Sequence, residues 1–308
     1  MWFKNLRVYR LPAKPVTDQI LSNLDEMLAQ QKFEECGKMD IQKSGFVSPL
    51  GAHGSTLTHE AMGKVMVCLK SQEKILPASA INEQVEKKIQ QIRDEENRSV
   101  SRKEKIDIKD EIIFSLLPNA LTKSRLTFAY FDLLNSILVV NESSAKKAEA
   151  LLSALRDALG SLPVIPLQTE GMPCGVMTGW ISEGETPKSF DFGGSCKLID
   201  RKDGATVTVK DCDLTSHEVI EHVNTGMLVD KLALSFEQSI SFTVDSDLSF
   251  TRVKFCEELI EKADEREAES YAEQFDADFQ IMSIEIGKLI PAVLEAFGGE
   301  RKNPFGEQ

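Results

Sequence analysis

The 308-residue chain is 42% hydrophobic, which suffices for a buried core and, at this length, for about two or three structural units. No stretch approaches the roughly eighteen uninterrupted apolar residues of a membrane span, and residues 1–7 lack the apolar run of a signal peptide, so the sequence predicts a cytoplasmic protein. The six cysteines form no C-x-x-C pair and are expected to be reduced thiols.

The net charge of −13 is unevenly distributed along the chain. Residues 1–180 carry 23 Lys and Arg against 22 Asp and Glu, whereas residues 181–308 carry 13 against 27. Because charges are screened beyond about 10 Å at cellular salt, the acidic second part leaves the first part free to present a basic surface. The composition therefore permits nucleic-acid binding without predicting it.

The first 70 residues are predicted to contain both strands and a helix. Hydrophobic patterning predicts two strands and one helix, at 2–11, 64–70 and 17–31 respectively. Apolar residues occupy successive positions of the 64–70 strand, so both of its faces are expected to be covered.

Residues 77–118 have the pattern of a helical hairpin. Two apolar stripes at helical spacing flank a charged segment, and Ser101 with Glu104 fits a capping box that begins the second helix. Two helices joined by a charged turn predict a projecting arm with little core of its own.

The remainder of the chain returns to strands and then to helix. Patterning predicts strands at 125–133 and 137–140, a helix at 144–159, and an antiparallel strand pair at 232–236 and 240–244 with a turn or bulge at Gln238. Gly160 suits the left-handed position after the helix. A less regular stretch follows a boundary near residue 168, and Pro291 is expected to kink or shorten the terminal helix at 275–297.

No catalytic or metal site stands out. His217 and His222 are five residues apart, which places them about 140° apart on a helix, so we expect surface residues rather than a zinc pair. Carboxylates such as Asp245 and Asp247 leave a metal-dependent nuclease open, although their spacing gives it no support. We predict no catalytic residue, no metal and no cofactor, in a protein that is not an enzyme.

Basic side chains are the candidate phosphate contacts. Lys146 and Lys147 lie in the first turn of the 144–159 helix, where the helix dipole disfavours cations but free N–H groups bind phosphate. The other candidates lie before a strand or in the hairpin turn: Lys123, Arg125, Arg98, Arg102 and Lys103. Ordinary solvated side chains are the alternative throughout. Because no base-reading motif is present, any binding is expected to ignore DNA sequence.

Leu121 lies in the loop 118–122 at the base of the arm, where an apolar side chain has little core to join. It is a candidate interface anchor, and local packing is the alternative.

Long collinear segments carry a resemblance over nearly the whole chain. They are MWFKNLRVYRL at 1–11, DEIIFSLLPNAL at 110–121, SSAKKAEALLSALRDALGSLPVIPL at 143–167 and FDADFQIMSIEIGKLI at 275–290, with shorter ones between them. These segments resemble the bacterial recombination-associated RdgC family.

The resemblance implies an α+β fold of antiparallel sheets with packed helices. It divides the chain into a central domain at 1–76 and 119–168, a helical tip at 77–118 and a base at 169–308. Two horseshoe-shaped subunits are expected to meet at tip and base as a ring-shaped homodimer around a positively lined hole.

The implied function is non-sequence-specific binding of double-stranded DNA on the nucleoid, which limits RecA-dependent recombination by occupying the duplex. RecA is then an indirect partner through shared DNA. The family places a hydrophobic dimer contact, often a larger aromatic residue, at the position of Leu121, and of residues 210–212 only Lys210 retains an expected DNA contact. A metal-dependent nuclease and an adaptor that contacts a recombinase remain the alternatives.

Overall fold

The computed structural model describes residues 1–12, 14–264 and 268–301. It confirms an α+β fold in which antiparallel strands combine with helices. The chain divides into two compact units. The large unit comprises Met1–Gln30, Ser48–Cys68 and Thr127–Gln308, and the small unit comprises Gln31–Val47 and Leu69–Leu126.

The described residues form twelve strands, nine α-helices and two short 3-10 helices at Gly51–His53 and Leu117–Asn119. The strands are β1 (Arg7–Arg10), β2 (Gln42–Val47), β3 (Thr58–Ala61), β4 (Lys64–Lys74), β5 (Thr122–Asp132), β6 (Ile137–Val140), β7 (Ile165–Pro166), β8 (Phe190–Ile199), β9 (Thr206–Lys210), β10 (Leu228–Phe236), β11 (Ile240–Asp245) and β12 (Phe250–Phe255). The helices are α1 (Lys14–Leu21), α2 (Leu24–Ala29), α3 (Ala78–Glu96), α4 (Arg102–Leu116), α5 (Ala145–Leu159), α6 (Pro173–Glu183), α7 (His217–Asn224), α8 (Glu257–Asp264) and α9 (Tyr271–Ala296).

A five-stranded antiparallel sheet in the order β12-β11-β10-β8-β9 belongs to the large unit. The predicted strand pair is confirmed as β10 and β11, in which Leu232 pairs with Val244 and Phe236 with Ile240. The break at Gln238 is a turn, because Gln238 has a φ of 55° in the left-handed region and β11 starts two residues later.

Helix α9 supplies the centre of the large unit's core. The predicted apolar stripe is buried, and the Phe279 ring lies 5.5 Å from that of Tyr130 on β5. Pro291 does not shorten the helix, which continues to Ala296. Burial of residues on both sides of the proline, such as Leu289 and Val293, stabilises the helical path and offsets the missing hydrogen bond.

Helix α5 agrees with its prediction at both ends. Ser144 is the N-cap residue, and Gly160 ends the helix with a φ of 72°, where a side chain would be strained. Ala148, Leu151 and Leu155 are fully buried on one face of the helix. Lys146 and Lys147 are exposed to solvent.

Two predictions of local structure are wrong. The 17–31 helix is interrupted, because Asn23 leaves the helical region and the Ser22 hydroxyl bonds to Gln19 instead. The stretch after residue 168 is regular and contains α6, β8 and β9. Its glycines concealed these elements: Gly193 lies inside β8, where an added Cβ would come within 2.7 Å of the Ala233 Cβ.

The predicted helical hairpin is confirmed as α3 and α4 of the small unit. The capping box is present, since the Glu104 N–H donates to Ser101 Oγ at 3.2 Å and the Ser101 N–H donates to Glu104 Oε2 at 3.4 Å. The fully buried part of the hairpin's core consists of Ile81, Val85, Ile89 and Ile108.

We expect Ile89→Ala to melt the hairpin locally. Removing a buried isoleucine side chain costs about 2–5 kcal/mol, which a core of four buried residues cannot absorb. Hydrogen exchange should accelerate across 78–116 while β10 and β11 stay protected. Gln84→Ala, at an exposed position of α3, is the matched control. Equal protection of the hairpin in both variants would contradict the expectation.

Candidate nucleic-acid interface

The first turn of α5 presents Lys146 and Lys147 to solvent, and within the described ranges neither forms an ion pair. The buried carboxylate of Glu142 lies just before the helix, where its Oε1 accepts hydrogen bonds from the Ser143 N–H at 2.9 Å and the Ser144 N–H at 3.1 Å. This negative charge offsets part of the repulsion between the helix dipole and the lysines. Both lysines are therefore available to an external anion.

A cleft of about 390 Å³ borders Lys146 and also contains Arg7, Glu149 and Asp247. Arg7 Nη2 lies 2.8 Å from Asp247 Oδ2, and Arg156 Nη1 lies 2.5 Å from Glu149 Oε1. The arginines are thus neutralised by carboxylates within the protein. The ammonium group of Lys146, at the edge of this cleft, has no carboxylate partner among the described residues and is available to a ligand.

Arg98 is held on both sides in the turn between α3 and α4. Its Nε donates to Glu96 Oε2 at 2.6 Å, and its Nη1 and Nη2 donate to the two oxygens of Glu104 at 2.8 and 2.6 Å. The bonds to Glu104 and Glu96 raise the pKa of Arg98, and the bond from Arg98 lowers the pKa of Glu104. To contact phosphate, Arg98 would have to exchange these carboxylates for it.

Arg102 and Lys103 lie exposed in the first turn of α4, beside Arg98. Across the described residues, neither side chain has an ion-pair partner. They are more available to phosphate than Arg98 is, although all three have the same formal charge.

Lys123 and Arg125 project from one face of the exposed first part of β5, because residues two apart in a strand point the same way. They belong to the small unit, whereas Lys146 and Lys147 belong to the large unit. That the four side chains share one surface stays a prediction.

Leu121 is 77% exposed and has exposed apolar neighbours. Its carbonyl accepts a hydrogen bond from the Ile75 N–H at 2.7 Å, and the next residue back, Lys74, donates to the Ile41 carbonyl at 2.8 Å. Ile41 is 58% and Ile75 44% exposed. Three exposed apolar residues therefore lie on adjoining segments, and we call Ile41, Ile75 and Leu121 the apolar patch.

The small unit is unusually rich in exposed apolar side chains. It carries seven of the eleven large ones found among the described residues, although it is much the shorter unit: Met39, Ile41, Ile75, Ile106, Phe114, Leu121 and Leu126. Clustered exposed apolar residues mark interaction surfaces. The sequence indicated only Leu121 of the apolar patch. Ile41 and Ile75 join the patch through backbone hydrogen bonds between segments that are distant in the sequence.

Lys210 ends β9, where it is exposed and pairs with Ser195 of β8. Lys197, Lys231 and Arg252 line the same concavity as Lys210, a grouping that the sequence alone does not reveal. Each of the three cations precedes a buried apolar residue of its strand, and this alternation is the signal that the sequence contains.

The acidic candidates are engaged in ion pairs. Lys231 Nζ lies 2.5 Å from Asp245 Oδ2, and Arg7 holds Asp247. Burial raises the pKa of Asp245, whereas for Asp247 the hydrogen bonds from Ser249 and Arg7 outweigh burial and lower the pKa. Over the described ranges, no cluster of three or more His, Cys, Asp or Glu side chains is placed to hold a metal ion.

Comparison with known proteins identifies the family. A family model described as "Putative exonuclease, RdgC" matches residues 1–300. The chain belongs to the RdgC family. The recombination-associated protein RdgC of Psychromonas ingrahamii is 40% identical over 302 residues, which cover 98% of this chain and 99% of the relative.

Two further RdgC relatives are 38% identical. The recombination-associated protein RdgC of Aeromonas hydrophila aligns over 304 residues, 98% of this chain and 100% of the relative, and that of Salmonella newport over 301 residues, 97% and 99%. Their names connect the RdgC family with recombination, whereas the description of the family model names an exonuclease. None of the described helices is both long and apolar enough to span a bilayer.

We expect the double variant Lys146→Gln and Lys147→Gln to bind duplex DNA about ten-fold more weakly at moderate salt, because two phosphate contacts are lost. Its melting temperature should be unchanged or slightly higher, since the helix dipole disfavours cations in this turn. Fluorescence anisotropy and thermal denaturation measure the two effects. Lys188→Gln with Lys262→Gln removes the same charge from exposed positions elsewhere. Equal affinities of the two double variants would remove Lys146 and Lys147 from the interface.

Proposed function

We propose that this RdgC protein binds double-stranded DNA without reading its sequence, and that two horseshoe-shaped copies enclose the duplex as a ring-shaped dimer. By occupying the duplex the dimer limits RecA-dependent recombination without cutting DNA, and it acts on RecA through the DNA that both share. The observation that carries the proposal is the near-complete alignment with relatives named recombination-associated proteins. Such binding places the protein on the nucleoid.

Exposed cations that have no ion-pair partner among the described residues support DNA binding. Lys146 and Lys147 lie at the start of a 15-residue helix, and Arg102 and Lys103 at the start of another. Lysines and arginines in such positions meet phosphate oxygens, which are the same at every base pair. Binding through them gives affinity that falls steeply with salt and does not depend on sequence.

The apolar patch supports contact with a second copy. Leucine and isoleucine side chains exposed to this degree gain free energy when another apolar surface covers them, at about 25 cal/mol per Å². A closed two-fold dimer brings the same patch of both copies together. A ring also lowers the number of phosphate contacts required, because a closed ring cannot leave circular DNA without opening.

A metal-dependent nuclease is the second candidate, and it rests on the description of the family model as an exonuclease. Asp245 and Asp247 are the carboxylates named for it. Lys231 and Arg7 neutralise them, so a metal would have to displace an ion pair at each carboxylate.

We expect purified protein to leave end-labelled duplex intact in Mg²⁺ or Mn²⁺. The labelled strand is followed on a denaturing gel over hours at an excess of protein. Degradation by the wild-type protein that is lost in a folded Asp245→Asn, Asp247→Asn variant would establish the nuclease and contradict the proposal.

We expect the protein to leave closed circular DNA at least about ten-fold more slowly than the same DNA cut once, because a ring slides off an end but must open to leave a circle. Leu121→Asp should abolish this difference by placing a carboxylate in the apolar patch. Leu134→Asp, at a leucine of the large unit that is 71% exposed, is the matched control. Competitor-chase dissociation and sedimentation measure retention and dimerisation. Equal loss of the wild-type protein from both DNA forms would rule out encirclement.

A further inference from the structure

Two turns of the large unit bring exposed apolar side chains close together. Met62, in the turn between β3 and β4, is 56% exposed, and Leu134, in the turn between β5 and β6, is 71% exposed. The Leu133 N–H donates a hydrogen bond to the Gly63 carbonyl at 3.3 Å, which joins the two turns. Adjoining turns therefore carry two of the four large apolar side chains that are exposed in the described part of the large unit.

The backbone conformation at Met62 does not favour a methionine. Ala61 pairs with Lys64, so a two-residue turn joins β3 and β4, and its residues Met62 and Gly63 have φ of 50° and 71°. A turn with two positive φ angles favours asparagine, aspartate or glycine at its first position, because other side chains are strained there. The stability of the turn therefore does not explain an exposed apolar side chain at Met62.

The turn that carries Leu134 does not require a leucine either. The Asp132 carboxylate holds this turn, since its Oδ1 accepts hydrogen bonds from the Leu134 N–H at 3.1 Å and the Asn135 N–H at 3.0 Å. Both donors are backbone groups, which any residue except proline supplies. The Leu134 side chain takes no part in these bonds, and another apolar surface that covered it would be bound favourably.

A cleft of about 720 Å³ lies beside Leu134. Its apolar lining consists of the buried residues Ile137, Ile290 and Leu294 and the exposed residues Leu134 and Pro291. Sites that bind organic ligands have volumes of about 300–1,000 Å³ and are lined mainly by apolar side chains. The cleft is therefore large enough for several side chains of a peptide.

The polar lining of this cleft has an excess of negative charge. Its cation, Arg10, is bound by Glu300, with Nε 2.8 Å from Oε1 and Nη2 2.5 Å from Oε2. Arg10 Nη1 also donates to the Asn135 carbonyl at 2.6 Å. Glu295, which lines the same cleft, is exposed and forms no ion pair within the described parts of the chain. One carboxylate is thus available to a cation from outside.

The end of α9 strengthens this preference for a cation. Glu295 lies in the last turn of the helix, where the backbone carbonyl dipoles favour positive charge. Phosphate would be repelled by the helix end and by the carboxylate, so the cleft is unsuited to DNA. A second copy is also unsuited, because a two-fold contact centred on this surface would bring the Glu295 carboxylates of both copies toward each other.

We propose that Met62, Leu134 and this cleft, together the docking cleft, bind a short basic segment of another protein. Apolar side chains of the segment cover Met62 and Leu134 and enter the cleft, and a lysine or arginine of the segment pairs with Glu295. The inference goes beyond the proposed function, because the partner is a protein and not DNA.

A random-peptide phage library selected against the wild-type protein tests the chemistry of the partner. We expect the enriched peptides to combine apolar residues with lysine or arginine. The most enriched peptide is then synthesised with a fluorescent label, and its affinity is measured by anisotropy. Absence of enrichment, or enrichment of acidic peptides, overturns the inference.

Two variants locate the binding of the labelled peptide. Leu134→Asp should weaken it at least about ten-fold, because a carboxylate would be covered by apolar side chains. Glu295→Lys should weaken it about three-fold or more, because attraction becomes repulsion. The matched controls Met172→Asp and Glu261→Lys make the same kinds of change at exposed positions outside the docking cleft and should keep wild-type affinity. Equal affinities of the Leu134→Asp and Met172→Asp variants overturn the inference.

Hydrogen exchange of the unaltered protein provides a measurement that needs no variant. Bound peptide should slow exchange in residues 132–136 and 294–299 and leave β10 and β11 unchanged. Slowed exchange elsewhere alone overturns the inference, and so does loss of dimerisation by Leu134→Asp in sedimentation, which would assign this surface to a second copy. None of these measurements involves DNA, so the proposed function can fail or stand independently of them.

Discussion

Alternation along the strands of the five-stranded sheet is the constraint on which the charge arrangement of this protein depends. Apart from the register shifts between β8 and β10 and between β11 and β12, side chains alternate between a core shared with α9 and the opposite face. The cations Lys231 and Arg252 therefore line the same concavity, although they are far apart in the sequence. A net charge of −13 and a local basic surface are compatible because the sheet sorts its residues by face.

Local signals made much of the fold predictable. The hairpin of α3 and α4, its capping box and helix α5 follow from contacts within a few residues, and all were confirmed. The two wrong predictions concern the 17–31 helix and strand β8. Asn23 interrupts a helix that apolar spacing favoured, and Gly193 is required in β8 by the approach of Ala233 from another strand, which no local pattern contains.

The candidate site was less predictable than the fold because a sequence gives charges but not their partners. Arg98 in the turn between α3 and α4 and Lys146 in the first turn of α5 are both exposed cations. Arg98 is bound by Glu96 and Glu104, whereas Lys146 has no such partner among the described residues. Leu121 was identified by its loop, but Ile41 and Ile75 join it only through backbone pairing. Pairing between distant segments is where reasoning from sequence alone stopped.

The acidic remainder of the chain has a role in the proposed clamp. Because charges are screened beyond about 10 Å at cellular salt, each face of the protein would act on DNA through its own local charge. In the proposed clamp, faces rich in Asp and Glu would repel the duplex, while the exposed lysines of α5 would attract it. Since a closed ring would retain DNA by topology, weak and uniform inner contacts would suffice in the proposed clamp and would let the protein move along the duplex. A uniformly basic chain would bind DNA more strongly but on every side, and would lose this orientation.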